Sequence, residues 1–232
     1  MNLHVALILF QFVVLLFAFS LHESAHAWVA WKLGDPTAMM LGRVTLNPIK
    51  HIDPWGSIAM PLIAMLYHMP LIGWAKPTPV TSRNFKNYKR DDILVTIAGP
   101  ISNLLAATAA LILLIVLKHV IAGGGAAVVA AIGLAFNDPR VSTEGLPQLF
   151  PLALLLYFGI LINLSLFVFN LIPVPPLDGS HVLRHFLPYK AQQLYDRFGF
   201  AFLILLLLFG GSLIWAMLGP MLGAFNHVLL GM

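Results

Sequence analysis

Long apolar runs are the feature that most constrains this chain. A helix needs about 20 apolar residues to cross the hydrocarbon core of a bilayer. Five regions approach that length: 3–30, 56–75, 93–117, 149–172 and 198–218. Only 9% of the residues are charged and 59% are hydrophobic, whereas about a quarter are charged in an ordinary soluble domain. The sequence therefore predicts an all-α polytopic membrane protein, with residues 1–232 forming a single membrane-embedded domain.

Positive charge is distributed unevenly among the connecting segments, and this predicts the topology. Basic residues cluster on both sides of region 56–75 but are few between 118 and 148. Because basic loops face the cytoplasm, region 56–75 should enter and leave on that side, and Pro61 and Pro70 fit a broken, re-entrant path. We expect about four full crossings with both termini outside, the first being a retained helix. These crossings are 3–30, 93–117, 149–172 and 198–218, and the weaker apolar run 120–136 is not counted among them.

The first apolar run carries two histidines and a glutamate near its end. Helical spacing places His22 and His26 on one face, where both rings can bind one metal ion. Glu23 is next to the first histidine, which completes the His-Glu-x-x-His pattern of zinc peptidases. An acidic residue in a membrane helix costs about 2.5–3.5 kcal/mol to insert and thereby indicates function. The alternative, two hydrogen-bonded core histidines, explains the glutamate poorly.

A hydrolytic zinc site needs a third protein ligand and an open position for water. The chain has no cysteine, so the ligand must be nitrogen or oxygen. Apart from Glu23, the acidic residues other than Asp178 lie in polar loops or at helix ends. Asp178 follows the fourth apolar run in a proline-rich stretch whose extended backbone can return it to the bundle near the cytoplasmic face. Considered alone, Asp178 before Gly179 is equally typical of a turn.

Four motifs together resemble the site-2 protease family of intramembrane zinc metalloproteases, in particular short bacterial and archaeal members without a PDZ or regulatory domain. They are HESAH at 22–26, GRVTLNPIKHIDPWGS at 42–57, AGPISN at 98–103 and NLIPVPPLDG at 170–179. The resemblance implies one zinc ion per chain, held by His22, His26 and Asp178, with Glu23 as catalytic base. It also suggests that 42–57 forms a membrane-associated hairpin that holds an unwound substrate.

Two asparagines and one β-favouring run add further expectations. Asn103 and Asn170 are candidate oxyanion donors because each is a neutral amide close to an apolar span, and the resemblance places Asn170 by the substrate. Interhelical hydrogen bonding explains both asparagines equally well. The RVTL run within 42–50 predicts a short strand against which an unwound substrate segment can pair.

The predicted function is a zinc endopeptidase that cleaves peptide bonds within or near transmembrane segments of membrane proteins, with its active site near the cytoplasmic face of the cell membrane. Its partners would be the lipid bilayer and those segments. The sequence has no nucleic-acid-binding signature and leaves the oligomeric state open. The alternatives are a zinc transporter and a non-catalytic binder of transmembrane segments. Transporters are commonly built from internal repeats, none is evident here, and neither alternative gives Glu23 a task.

Overall fold

The computed structural model describes residues 3–66, 73–138, 141 and 145–231, and long helices dominate it. In chain order the helices are α1 Leu3–Lys32, α2 Thr37–Met40, α3 Met60–Leu66, α4 Tyr88–Val120, α5 Gly124–Ala135, α6 Phe150–Leu171, α7 Asp178–Arg184, α8 Tyr189–Phe209 and α9 Gly211–Gly231. Short 3-10 turns occur at Pro48–Lys50 and Ser82–Asn84, and a π-helical turn at Pro54–Ala59. Among the described residues, α1, α4, α6, α8 and α9 are long and apolar enough to cross a membrane.

Three of these helices, α1, α4 and α6, form the centre of the bundle. His22 contacts Asn103 on α4, whereas His26, which is later on α1, contacts Val95, which is earlier on α4. The two helices are therefore antiparallel. The sequence order of the contacts between α4 and α6 is also reversed, so these two helices are antiparallel as well. It follows that α1 and α6 run in the same direction. Apart from Leu229 on α9, the largest fully buried hydrophobic side chains lie on α4 and α6: Leu114, Leu154, Tyr157, Phe158, Ile160 and Leu164.

Among the described residues, α4 is the one helix between α1 and α6 that is long enough to cross a membrane. The twelve residues of α5 reach about 18 Å, which is short of the roughly 30 Å of hydrocarbon. The described ends of region 56–75, the predicted re-entrant region, lie together: the Trp74 N–H donates to the Gly56 carbonyl at 3.2 Å, and Ser57 Oγ donates to the Trp74 carbonyl at 2.8 Å. This contact favours a return of the region to its starting side, which stays a prediction. Pro70 lies outside the described residues.

The predicted hairpin at 42–57 is wrong, as is the strand predicted along RVTL: residues 42–57 are all described and contain no strand. Carbonyl groups of this segment accept hydrogen bonds from side chains rather than from a neighbouring strand. Ser24 Oγ donates to the Thr45 carbonyl, and Arg43 Nη1 donates to the Lys50 carbonyl at 2.7 Å. A β-ladder needs those carbonyl groups for its cross-strand bonds, so the segment folds as a coil held against α1.

The C-terminal region also differs from the prediction of one helix over 198–218. The structure has two helices instead, α8 and α9, with Gly210 between them. Leu206 and Ile214 pack in one cluster with Ile172, just beyond the end of α6. At the other end, Lys118 Nζ donates to the Leu229 carbonyl at 2.9 Å. It is therefore α9 that runs along the bundle, and the described chain has five candidate spans rather than about four.

A buried carboxylate, Asp35, joins the end of α1 to the segment that returns from the re-entrant region. It has no exposed surface. Its oxygens accept hydrogen bonds from the backbone N–H of Thr37 at 3.2 Å, the backbone N–H of Thr81 at 2.7 Å and the Asn84 amide at 2.7 Å. Burial opposes ionisation, but hydrogen bonds from these three residues outweigh it and hold the Asp35 pKa below its usual 3.8.

We predict that Asp35 stabilises the fold at neutral pH but not in strong acid. Because its folded-state pKa is lowered, the stabilisation is fully present above the unfolded pKa of 3.8 and is lost as pH falls through the lower folded value. Asp35→Asn should cost about 1–3 kcal/mol at pH 7, and less below pH about 3. Thermal unfolding in detergent at both pH values measures this, and an equal loss at both would contradict it.

Candidate metal centre and active site

Three potential metal ligands from two distant parts of the chain meet inside the bundle. The Nε2 atoms of His22 and His26, both on α1, are 3.0 Å apart. Asp178, the first residue of α7, places Oδ2 3.1 Å from His22 Nε2 and 3.5 Å from His26 Nε2. Both histidines are buried, and Asp178 is partly buried. Among the described residues this is the one group of three or more His, Asp or Glu side chains with ligand atoms this close together.

The hydrogen bond of the other ring nitrogen, Nδ1, indicates whether Nε2 of each histidine carries a proton or a lone pair. His26 Nδ1 is 2.7 Å from the Val95 carbonyl, which can only accept, so this nitrogen carries the proton. His22 Nδ1 is 2.6 Å from Asn103 Oδ1, also an acceptor. Neutral rings of this tautomer have a lone pair on Nε2. Two lone pairs and a carboxylate oxygen that makes no hydrogen bond therefore face each other, an arrangement that a shared cation would stabilise.

The spacing of the three atoms fits zinc. Bonds of about 2.0–2.1 Å in a tetrahedral site give ligand-to-ligand distances of about 3.3 Å. The observed distances of 3.0, 3.1 and 3.5 Å scatter around this value. Three protein ligands leave one tetrahedral position for water or substrate, which is the arrangement of catalytic rather than structural zinc sites. His22, His26 and Asp178 can therefore hold one zinc ion.

The close approach of α4 to the histidines depends on Gly99. A Cβ atom at this position would lie 2.4 Å from His26 Nε2 and 2.6 Å from His22 Nε2. Real side chains almost never approach this closely, so only glycine lets α4 pass directly beside the ligand atoms. The glycine of the AGPISN motif is thus required for α4 to pack closely against the two histidines.

Asp178 reaches the histidines because α7 begins directly against the end of α6. A Cβ at Gly179 would lie 2.3 Å from the Leu171 carbonyl, so glycine is required for this contact. Beyond the end of α7, His185 Nε2 contacts Asp92 Oδ2 at 2.7 Å and ties the helix to α4. The aspartate is thereby held from both sides, and it is a ligand candidate rather than a free turn residue.

Glu23 lies beside the metal centre and is held by the chain that follows the re-entrant region. Its Oε2 accepts a hydrogen bond from the Thr78 N–H at 2.8 Å, and its carbonyl accepts one from Thr78 Oγ1 at 2.9 Å. Pro77 and Pro79 flank Thr78 and favour an extended backbone. One carboxylate oxygen is thus fixed by the main chain, while no hydrogen bond to the other is found in the described part of the chain.

Comparison with known proteins agrees with this geometry. Residues 10–206 match the model of peptidase family M50. The chain belongs to peptidase family M50. This is the family of the site-2 proteases, so the resemblance seen in the sequence motifs is confirmed. No solved structure matches this M50 chain.

Two relatives show how far the M50 similarity extends. The Bacillus subtilis (strain 168) protein named "Putative zinc metalloprotease YwhC" is 39% identical over 211 residues, which cover 89% of this chain and 84% of the relative. Rip2 of Mycobacterium tuberculosis (strain ATCC 25618 / H37Rv), named in the same terms, is 29% identical over 82% of this chain and 62% of its own length. The chain thus spans less than two thirds of Rip2. Zinc is the cofactor that the family and these names support.

The two asparagines predicted as oxyanion donors lie in different surroundings. Asn103 is fully buried behind His22, and its amide hydrogens face Asn163 Oδ1 at 2.8 Å and the Ala18 carbonyl at 3.4 Å. No donor is left for a substrate. Asn170 is half-buried and donates to the Leu166 carbonyl one turn earlier on α6, at 3.0 Å. Within the described structure no hydrogen bond joins it to the metal ligands, and its contact with substrate stays a prediction.

Sequence reasoning missed several residues of this M50 site, namely Asp92, Thr78, Asn163 and His185. Each acts through a contact between segments distant in sequence, and none has a motif of its own. A weak signal existed for Asn163, an amide within an apolar helix, because such a group needs a partner in the membrane. No comparable signal was available for Thr78.

We predict that Gly99→Ala weakens zinc binding while leaving the bundle folded. The added methyl group would displace the two Nε2 atoms, and the zinc dissociation constant should rise at least about tenfold. Gly223→Ala is the matched control, because a Cβ there would meet nothing within 4 Å. Competition with a zinc chelator gives both constants, and equal affinities would show that α4 does not determine the ligand geometry.

Proposed function

We propose that this M50 protein is an intramembrane zinc endopeptidase that cleaves transmembrane segments of other membrane proteins. The supporting observation is that the ligand atoms of His22, His26 and Asp178 lie together, with Glu23 beside His22 on α1, in a bundle of apolar helices. His22, His26 and Asp178 act as ligands and Glu23 as the base.

The depth of the site supports a substrate within the membrane. His22 and His26 lie six to ten residues before the end of α1 at Lys32, which corresponds to about 9–15 Å along the helix. The basic segments 32–50 and 76–90 adjoin this end of α1 and favour the cytoplasmic side. We therefore assign the site to the cytoplasmic half of the bilayer, below the surface but within reach of water.

Each residue around the site has a distinct part in the proposed hydrolysis. When bound, zinc would act as a Lewis acid and lower the pKa of a water molecule toward neutrality. Glu23 would accept a proton from the attacking water and deliver it to the leaving amine. The Thr78 N–H, held on one carboxylate oxygen, keeps the other oriented for this transfer. Val95 and Asn103 hold the Nδ1 protons, so both histidines offer Nε2 to the metal.

We predict that Glu23→Gln abolishes hydrolysis and leaves zinc binding intact. Glutamine keeps the shape and can still accept the Thr78 N–H but cannot take up a proton, so turnover should fall by a factor of about 10² to 10⁴. The assay uses purified protein in liposomes with single-pass transmembrane segments, and mass spectrometry of the products.

Two controls separate the proposed peptidase from its alternatives. Asp196→Asn removes an exposed carboxylate, paired with Arg184 at 2.8 Å, and should leave turnover unchanged. Cleavage of transmembrane segments that persists in Glu23→Gln would exclude Glu23 as the base. If wild type instead cleaves nothing but carries zinc across the liposome membrane, the protein is a transporter.

A further prediction joins the two distant motifs at one metal. Wild type should contain about one zinc per chain, and Asp178→Ala should lose most of it because only two ligands remain. The matched control is Asp196→Ala, which removes an aspartate outside the site. Metal analysis after detergent purification gives the stoichiometry. Full retention of zinc by Asp178→Ala would show that Asp178 is a turn residue.

A further inference from the structure

A chain of buried amides crosses the bundle behind His22 and involves a residue that no sequence motif indicates. His22 Nδ1 is 2.6 Å from Asn103 Oδ1. Asn103 Nδ2 donates to Asn163 Oδ1 at 2.8 Å, and Asn163 Nδ2 donates to the Gly159 carbonyl at 2.8 Å. Asn103 is fully buried and Asn163 is 5% exposed. This series of hydrogen bonds therefore links α1, α4 and α6 through two buried amides.

The backbone carbonyl at the end of this chain fixes the direction of every hydrogen bond in it. The Gly159 carbonyl can only accept, so Asn163 must turn its NH₂ group toward α6 and its oxygen toward Asn103. Asn103 must then present NH₂ to Asn163, and its second hydrogen faces the Ala18 carbonyl. The oxygen of Asn103 is left for His22, whose Nδ1 must carry the proton.

We propose that Asn163 is a positioning residue that selects the metal-binding tautomer of His22 through Asn103. With the proton on Nδ1, the Nε2 lone pair faces His26 and Asp178, as a zinc ligand requires. The proposal rests on the metal site of the proposed function. Asn163, which is 60 residues from Asn103 in sequence, would thus determine the tautomer of His22 without contacting its ring.

The two histidines achieve the same tautomer by different means. His26 Nδ1 contacts a backbone carbonyl, that of Val95, and no side-chain substitution removes this acceptor. At His22 the acceptor is an amide side chain, which can rotate by 180° and present NH₂ instead. If Asn163 is absent, that rotation is no longer opposed by its oxygen, and a rotated Asn103 would favour the proton on His22 Nε2. The tautomer of His22 is thus the one that depends on packing.

The test is a double-mutant cycle on zinc affinity with Asn163→Leu, Asn103→Leu and the double variant. Leucine has nearly the shape of asparagine but makes no hydrogen bond. Each single change should raise the zinc dissociation constant about 10- to 100-fold, and the double variant should be no weaker than Asn103→Leu. If Asn163 only stabilises the contact of α4 with α6, the two effects multiply or Asn163→Leu leaves affinity unchanged. Either result would overturn the proposal.

Matched control variants on α4 and α6 distinguish the loss of any polar side chain from the loss of the series of hydrogen-bonded amides. Ser165 on α6 and Thr108 on α4 each donate to the carbonyl four residues earlier, at 2.7 and 2.9 Å. Ser165→Ala and Thr108→Val should bind zinc as wild type does. A loss equal to that of Asn163→Leu would mean that any such change loosens the bundle.

A direct measurement of the tautomer decides the question even if the leucine variants do not fold. ¹⁵N NMR of histidine-labelled, zinc-free wild type, with His22 assigned by its absence in His22→Gln, should show Nδ1 protonated. A bare Nδ1 would overturn the proposal. This readout involves neither zinc nor hydrolysis. A wild type that binds no zinc would refute the proposed function, while the His22 tautomer would still test the role of Asn163.

Discussion

Three electron-pair donors held within 3.5 Å of one another in the interior of a bundle are the constraint on which this structure depends. Without a shared cation or proton, their mutual repulsion would favour separation. The surrounding structure opposes that separation from each direction. The Val95 carbonyl and Asn103 hold the two rings, Gly99 lets α4 pass beside them, and the start of α7 keeps Asp178 close. Such prior ordering of ligands is what a high-affinity site with an open position requires.

The re-entrant region has a role that follows from its connections. Its return segment donates a main-chain N–H to Glu23 through Thr78, and Asp35 ties the same segment to the end of α1. Glu23 and the two histidines therefore lie on one helix but are oriented by separate parts of the chain.

The coil at 42–57 also affects how a substrate can be held. Its carbonyl groups are used by Ser24, Arg43 and His51, and burial lowers the pKa of His51 so that its ring is neutral and donates to the Thr45 carbonyl at 2.9 Å. Pairing of an unwound substrate along this coil would require these bonds to open first. The proposed peptidase therefore has no preformed strand in this segment to supply main-chain partners.

The sequence by itself determined the class of protein, and it predicted candidate metal ligands on α1 and a topology whose number of candidate spans the structure changes from about four to five. Apolar length and loop charge are properties of segments, and the spacing of His22 and His26 is a property of one helix, so none of them needs a fold to be read. Asp178 could be predicted as the third ligand only by setting aside the other acidic residues, because its local sequence is equally typical of a turn. Tertiary structure decided the rest. The RVTL run favours a strand, but side chains from elsewhere took its carbonyl groups. The apolar run that was predicted as one helix broke at Gly210 because Leu206 and Ile214 pack in one cluster at the same end of the bundle. The tasks of Thr78 and Asn163 arise from hydrogen bonds that span 55 and 60 residues of chain, and bonds of that range exist only once the helices have packed.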